Sequence, residues 1–161
     1  MTWGLGPTGG DSSAVQDRLR NVKQIAATGF AFAAILSDGS VVTWGNPGYG
    51  GDISAVKARL RNVQQIQSSA AAFAAASADG SVGTWGSREF GGHSSAIQDR
   101  LGNVQHIQAT GAAFAAVLAD GLVVTWGNPQ YGGDSSPVQS QLRQVQQCSK
   151  LKPHAVHLQL S

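Results

Sequence analysis

Three aspartates recur at one spacing, Asp38, Asp79 and Asp120, and a glycine follows each directly, Gly39, Gly80 and Gly121. Carboxylates in register could line an acidic ring for a cation. Asp-Gly is also the dipeptide of tight hairpin turns, since both residues tolerate positive φ and Asp bonds its own backbone two residues on. The turn assignment is the stronger. Asp11, Asp52 and Asp134 form a second set before short polar runs that read as helix starts, where a carboxylate favours the helix dipole. His93 takes that place in the remaining copy. His154 and His157 are three residues apart, but a structural zinc takes four ligands. Cys148 is the only cysteine, which excludes an internal disulfide or a Cys-rich metal centre, and no histidine motif marks it as a nucleophile. No catalytic residue, metal or cofactor is assigned. Asn46-Pro47-Gly48-Tyr49 and Asn128-Pro129-Gln130-Tyr131 match the Asn-Pro-x-Tyr peptide that adaptor domains read, yet they are also the loop of a repeat, with Ser87-Arg88-Glu89-Phe90 between them. Tyr49, Phe90 and Tyr131, with Asn46 and Asn128, are the candidate partner contacts, because aromatics are enriched in binding hot spots. The competing assignment packs these rings against the next unit of the array.

The elements that must position these residues come from a repeat. Trp3, Trp44, Trp85 and Trp126 are each 41 residues apart, and Asp38-Gly-Ser-Val-Val-Thr-Trp-Gly45 returns at 79–86 and 120–127. Units run 22–62, 63–103 and 104–144, after a partial unit 1–21, and the first and third full units agree at 27 of 41 positions. Each unit opens with a mixed apolar and polar run, Val63 to Gln67 for example, which reads as an exposed or outer strand. Phe32 to Leu36 is rich in alanine, the best helix former. It is short, however, and Asp38-Gly39 ends it ahead of the strand-like Val41 to Trp44, so a hairpin is expected. Glycine and proline mark residues 46–52 as loop. Val15, Leu19 and Val22 then fall on one helical stripe. Ser13 with Gln16 and Ser95 with Gln98 read as capping boxes, and Pro137 suits a first helical position. Lys57 breaks the box in the second copy, and Gly102 weakens the third helix. The expectation is a mainly β chain: a partial, open β-propeller of about three to four three-stranded antiparallel blades, each followed by a short α-helix.

Composition supports a packed array and narrows its partners. Hydrophobic residues make up 42 % and charged residues 12 %, about half the usual ~25 %. Net charge is +2 with the basic residues dispersed, which argues against nucleic acid. No run approaches ~18 uninterrupted apolar residues, so no membrane span is expected. A single cysteine and no signal-like start fit an intracellular location, cytoplasmic or nuclear. Repeat character runs from 1 to 147, and residues 148–161 abandon it, as a frameshifted copy of the unit would. Three and a half blades cannot close a ring, so the terminal sheets would expose apolar faces that invite self-association.

The run Asp38-Gly39-Ser40-Val41-Val42-Thr43-Trp44-Gly45-Asn46, preceded by Val22-Lys23-Gln24-Ile25-Ala26-Ala27, resembles the regulator of chromosome condensation repeat, over residues 2 to about 147. The short blades are similar to those of the bacterial β-lactamase inhibitor propeller. The resemblance implies a propeller, usually of seven blades, in a family that includes small-GTPase exchange factors and the propellers of large ubiquitin ligases. The expected function is a non-catalytic protein-binding platform made of propeller loops. Its alternatives are the propeller portion of a ligase or exchange factor, and a gene fragment with no role of its own.

Overall fold

A computed structural model describes residues 4–143 of the chain. The expectations for Trp3 and for the tail with Cys148, His154 and His157 lie outside the described residues. The Asp-Gly pairs turn hairpins as expected. β1 (Val22–Ala27), β2 (Ala31–Leu36) and β3 (Val41–Gly45) form one antiparallel sheet in that order. β4 (Val63–Ser68), β5 (Ala72–Ser77) and β6 (Val82–Gly86) form the second, and β7 (Val104–Ala109), β8 (Ala113–Leu118) and β9 (Val123–Gly127) the third. Three blades of a mainly β, unclosed propeller result. At the hairpins, Gly39, Gly80 and Gly121 have φ of 78°, 79° and 84°, left-handed values that a side chain would resist. The Asp38 carboxylate accepts from the Ser40 backbone N–H at 2.9 Å and from the Ser40 hydroxyl at 2.6 Å.

The alanine runs are strands because tertiary packing overrides helix propensity. All six residues of β5 are buried, with one face on each neighbouring sheet. Phe73 and Ala75 join Ala31, Ala33, Ile35 and Val41 in one core between the first and second blades. Ala72, Ala74 and Ala76 face the other way, onto Ile107, Phe114 and Trp126. Small side chains allow the sheets this close approach. The packing leaves one defect: Ser77 stands where the other copies have Leu36 and Leu118, and its buried hydroxyl finds no partner among the described residues.

Two expectations are corrected. The opening strands are not outer. β1, β4 and β7 lie against one another where the sheets converge. A bulge at Lys23, Gln64 and Gln105 shifts the register. Beyond it, Gln24 Nε2 donates to the Ile66 carbonyl at 3.0 Å. The Gln65 amide takes both backbone groups of Ile107, each at 3.1 Å. Gln24 and Gln65 thus bind the next strand, while Lys23, Gln64, Gln105, His106 and Gln108 remain exposed. The short helices also differ: Ser13–Arg18, Lys57–Arg59, Ser95–Arg100 and Ser136–Val138 are 3-10 turns, and among the described residues α geometry occurs only at 139–143. No capping box forms at Ser13 or Ser95. The cap positions are Ser12 and Ser94, and they bond the side chains of Gln16 and Gln98 at 3.0 and 2.7 Å. Val22, taken as part of the helical stripe, is the first residue of β1.

Candidate functional site

Trp44, Trp85 and Trp126 each tie a blade to the loop of the unit before it. Trp85 stacks on its cross-strand partner Phe73, with ring centroids 5.3 Å apart. Its buried indole N–H donates 3.1 Å to the carbonyl of Gly50, in the loop of the preceding unit. Trp44 reaches Gly9, and Trp126 reaches Gly91, in the same way at 3.0 and 3.1 Å. Gly50 has φ of 97°, and a Cβ there would fall 2.5 Å from the Phe73 ring. The loop therefore lies flat on the next blade only because it carries glycine at this point.

These joints seat the turns Pro47–Tyr49, Arg88–Phe90 and Pro129–Tyr131 on one face of the array. Asn46 Oδ1 accepts from the Gly48 N–H and Asn128 Oδ1 from the Gln130 N–H, both at 2.9 Å. Both asparagine side chains are thus used to cap their turns. The hydroxyls of Thr28, Ser69 and Thr110 donate to the carbonyls of Tyr49, Phe90 and Tyr131 at 3.0, 2.8 and 2.8 Å. Between blades, the Gly29 N–H donates to Ala70 O and the Ala70 N–H to Gly111 O, both at 2.9 Å. Nothing in the propensity of Thr28, Ser69 or Thr110 announces this clamp; their 41-residue spacing was the available signal. The same spacing marks Asn21, Asn62 and Asn103, all at positive φ, whose carbonyls accept from Ser37, Ala78 and Ala119.

The candidate aromatics meet different surroundings. Tyr49 and Phe90 are half-buried and pack against the cores between blades. Tyr131 is 56 % exposed. A cleft of about 400 Å³ opens between the second and third blades, lined by Ala70, Glu89, Phe90, Gly111, Ala112, Asn128 and Tyr131. In the first blade the residue equivalent to Ala112 is Phe30, and its ring lies edge-on to Tyr49 with centroids 4.5 Å apart.

Asp38, Asp79 and Asp120 sit in the separate hairpin turns at the other end of the sheets. Hydrogen bonds from the Ser40 and Ser81 hydroxyls, then from their backbone N–H groups, hold the Asp38 and Asp79 carboxyls below their ordinary value of 3.8. Ser13, Ser54 and Ser136 do the same for Asp11, Asp52 and Asp134. His93 occupies the equivalent place in its own copy, with Nε2 2.6 Å from Ser95 Oγ, so it serves the same loop. No group of three or more His, Cys, Asp or Glu converges among the described residues, and no described helix is long and apolar enough to cross a membrane.

Comparison with known families bears on the unit itself. The model of the regulator of chromosome condensation (RCC1) repeat matches residues 22–50. The first full unit is thus similar to an RCC1 repeat. Among solved structures, human WBSCR16 is similar at a TM-score of 0.50 and 22 % identity, over 66 % of this chain and 34 % of its own. Yeast RCC1 (Prp20), solved bound to Kap60, is similar at 0.52 and 20 % identity, over 66 % of this chain and 29 % of its own. At such identity the likeness is one of fold, and the chain spans about a third of either structure's length. No curated protein sequence matches the chain. The repeats here form consecutive blades of a propeller whose ring is not closed among the described residues.

Proposed function

We propose that the face bearing the turns Pro47–Tyr49, Arg88–Phe90 and Pro129–Tyr131 is a non-catalytic platform for a protein partner. The observation that carries this is Tyr131: an aromatic side chain 56 % exposed on a turn whose backbone is tied down by Thr110 and Asn128. A turn held in place loses little further backbone entropy on binding, and an exposed aromatic on it is suited to act as an anchor. Yeast RCC1, of similar fold, was solved bound to another protein. A location inside the cell suits a chain with a single cysteine. The test is affinity capture with the wild-type chain, the Tyr49→Ala/Tyr131→Ala variant and a hairpin-end variant, Ser40→Ala/Ser81→Ala. Capture should fall with the first variant and hold with the second. Equal capture by all three removes the loop face from consideration.

Self-association is a second reading, favoured by one observation. Ile66 and Ile107 are 1 % and 0 % exposed, whereas their equivalent in the first blade, Ile25, is 55 % exposed, and Val22 beside it 39 %. A further blade, from a second copy, would cover this face as the first blade covers the second. Sedimentation of the 161-residue chain over a concentration series tests it; a constant monomer mass discards it.

A further inference from the structure

We infer that the cleft between the second and third blades receives an aromatic side chain of the partner, with a lysine or arginine next to it. The inference rests on the binding-platform reading and specifies its chemistry.

The protein itself shows what such a cleft accepts. At the first blade the ring of Phe30 lies edge-on to Tyr49. At the third, Ala112 replaces that phenylalanine, and Tyr131 faces about 400 Å³ of open space instead. Phe90 lines the cleft from the second blade, and Ala70, Gly111 and Ala112 have no side chain long enough to fill it. An incoming ring would recreate the edge-to-face pair that Phe30 makes with Tyr49, an arrangement that aromatic quadrupoles favour. The walls are fixed before binding, since Ala70 N–H donates to Gly111 O and the Ser69 and Thr110 hydroxyls hold the Phe90 and Tyr131 carbonyls.

Charge specifies the neighbour of that ring. Among the described residues Glu89 is the only charged group lining the cleft, and its equivalents in the second and fourth turns of the repeat are the uncharged Gly48 and Gln130. A cation beside the incoming ring would meet both this carboxylate and the aromatic faces.

The probes are acetyl-Gly-Lys-Phe-Gly-amide and its counterparts with alanine for phenylalanine or glutamate for lysine, titrated at millimolar concentration into the ¹⁵N-labelled chain. The expected result is amide shifts confined to Glu89, Gly111, Ala112, Tyr131 and their neighbours. Affinity should fall about tenfold for the alanine peptide and about threefold for the glutamate peptide. Ala112→Phe supplies the missing ring from within and should abolish the shifts. Should that variant fail to fold, Glu89→Lys, at an exposed position, should weaken the lysine peptide and strengthen the glutamate one. No shift with any peptide, shifts elsewhere, or equal affinity for the phenylalanine and alanine peptides overturns the inference. If the peptides fail while protein capture still depends on Tyr49 and Tyr131, the cleft falls and the platform stands. If capture is also indifferent to those tyrosines, both fall.

Discussion

One residue type at one place in the repeat gives a sharp test of where the array is open. Ile25, Ile66 and Ile107 are equivalent, yet Ile66 is 1 % exposed and Ile25 is 55 % exposed. Ile66 lies in the core between the first and second blades, with Ala33, Ile35 and Phe73 around it. Ile66→Ala removes three carbon groups at about 0.8 kcal/mol each, and the cavity left behind brings the cost to about 3–4 kcal/mol. Ile25→Ala removes the same atoms from a side chain that is less than half buried, and solvent fills the gap, so about 1 kcal/mol is expected. With a urea slope of about 2 kcal/mol per molar, the two midpoints should differ by about 1 M. The assay is urea unfolding followed by tryptophan fluorescence at low protein concentration. Equal shifts for the two variants would refute the reasoning, because they would mean that the face around Ile25 is covered in solution. A gap that closes only as concentration rises would identify a second copy as the cover.

Further outcomes follow from the blade joints and turns. Gly50→Ala should cost more than Gly132→Ala by about 1–3 kcal/mol, because both have φ of 97° but only the first puts a Cβ into a ring of the next blade; thermal midpoints compare them. Trp85→Phe leaves the buried Gly50 carbonyl without its donor, and a loss of about 1–3 kcal/mol should appear in urea unfolding. Ser77→Ala removes a buried hydroxyl that has no partner among the described residues, and a midpoint raised by about 1 kcal/mol worth of stability is expected. The depressed carboxyls of Asp38 and Asp79 set the sign of an acid effect. Their contribution is complete above the unfolded value of 3.8 and disappears as pH falls through the lower folded value. Asp38→Asn/Asp79→Asn should therefore flatten the acid limb of stability against pH, and an unchanged limb would separate these turns from acid unfolding.

The hairpins were legible because Asp-Gly has few other uses between apolar runs. The blades followed from the tryptophan spacing. The opening strands were misplaced because Gln24 and Gln65 looked like solvent-facing residues, whereas their amides satisfy the backbone of the neighbouring strand. Polarity alone does not distinguish those two uses. The helix was overread because Val15 and Leu19 belong to a 3-10 turn and its end, and Val22 to a strand; residues from different elements fell on a helical period by chance of spacing. Of the candidate site, the aromatics were visible as loop residues, but the cleft was not. Its opening at the third blade reflects Ala112 in place of Phe30, a difference whose meaning depends on Tyr131 standing opposite.

The indole bonds run in one direction along the chain. Trp44, Trp85 and Trp126 each use a carbonyl 35 residues earlier, in the loop that closes the preceding unit. A nascent chain leaves the ribosome from its N-terminus. Each new sheet therefore emerges after the surface that will hold its tryptophan has already been made, and it can lock on without waiting for anything still to be synthesised. Assembly of the array can proceed like a ratchet, blade upon finished blade. A cut at the 41-residue sequence boundary would separate each tryptophan from its acceptor, so an excised blade keeps its joint only if it begins with the loop before it.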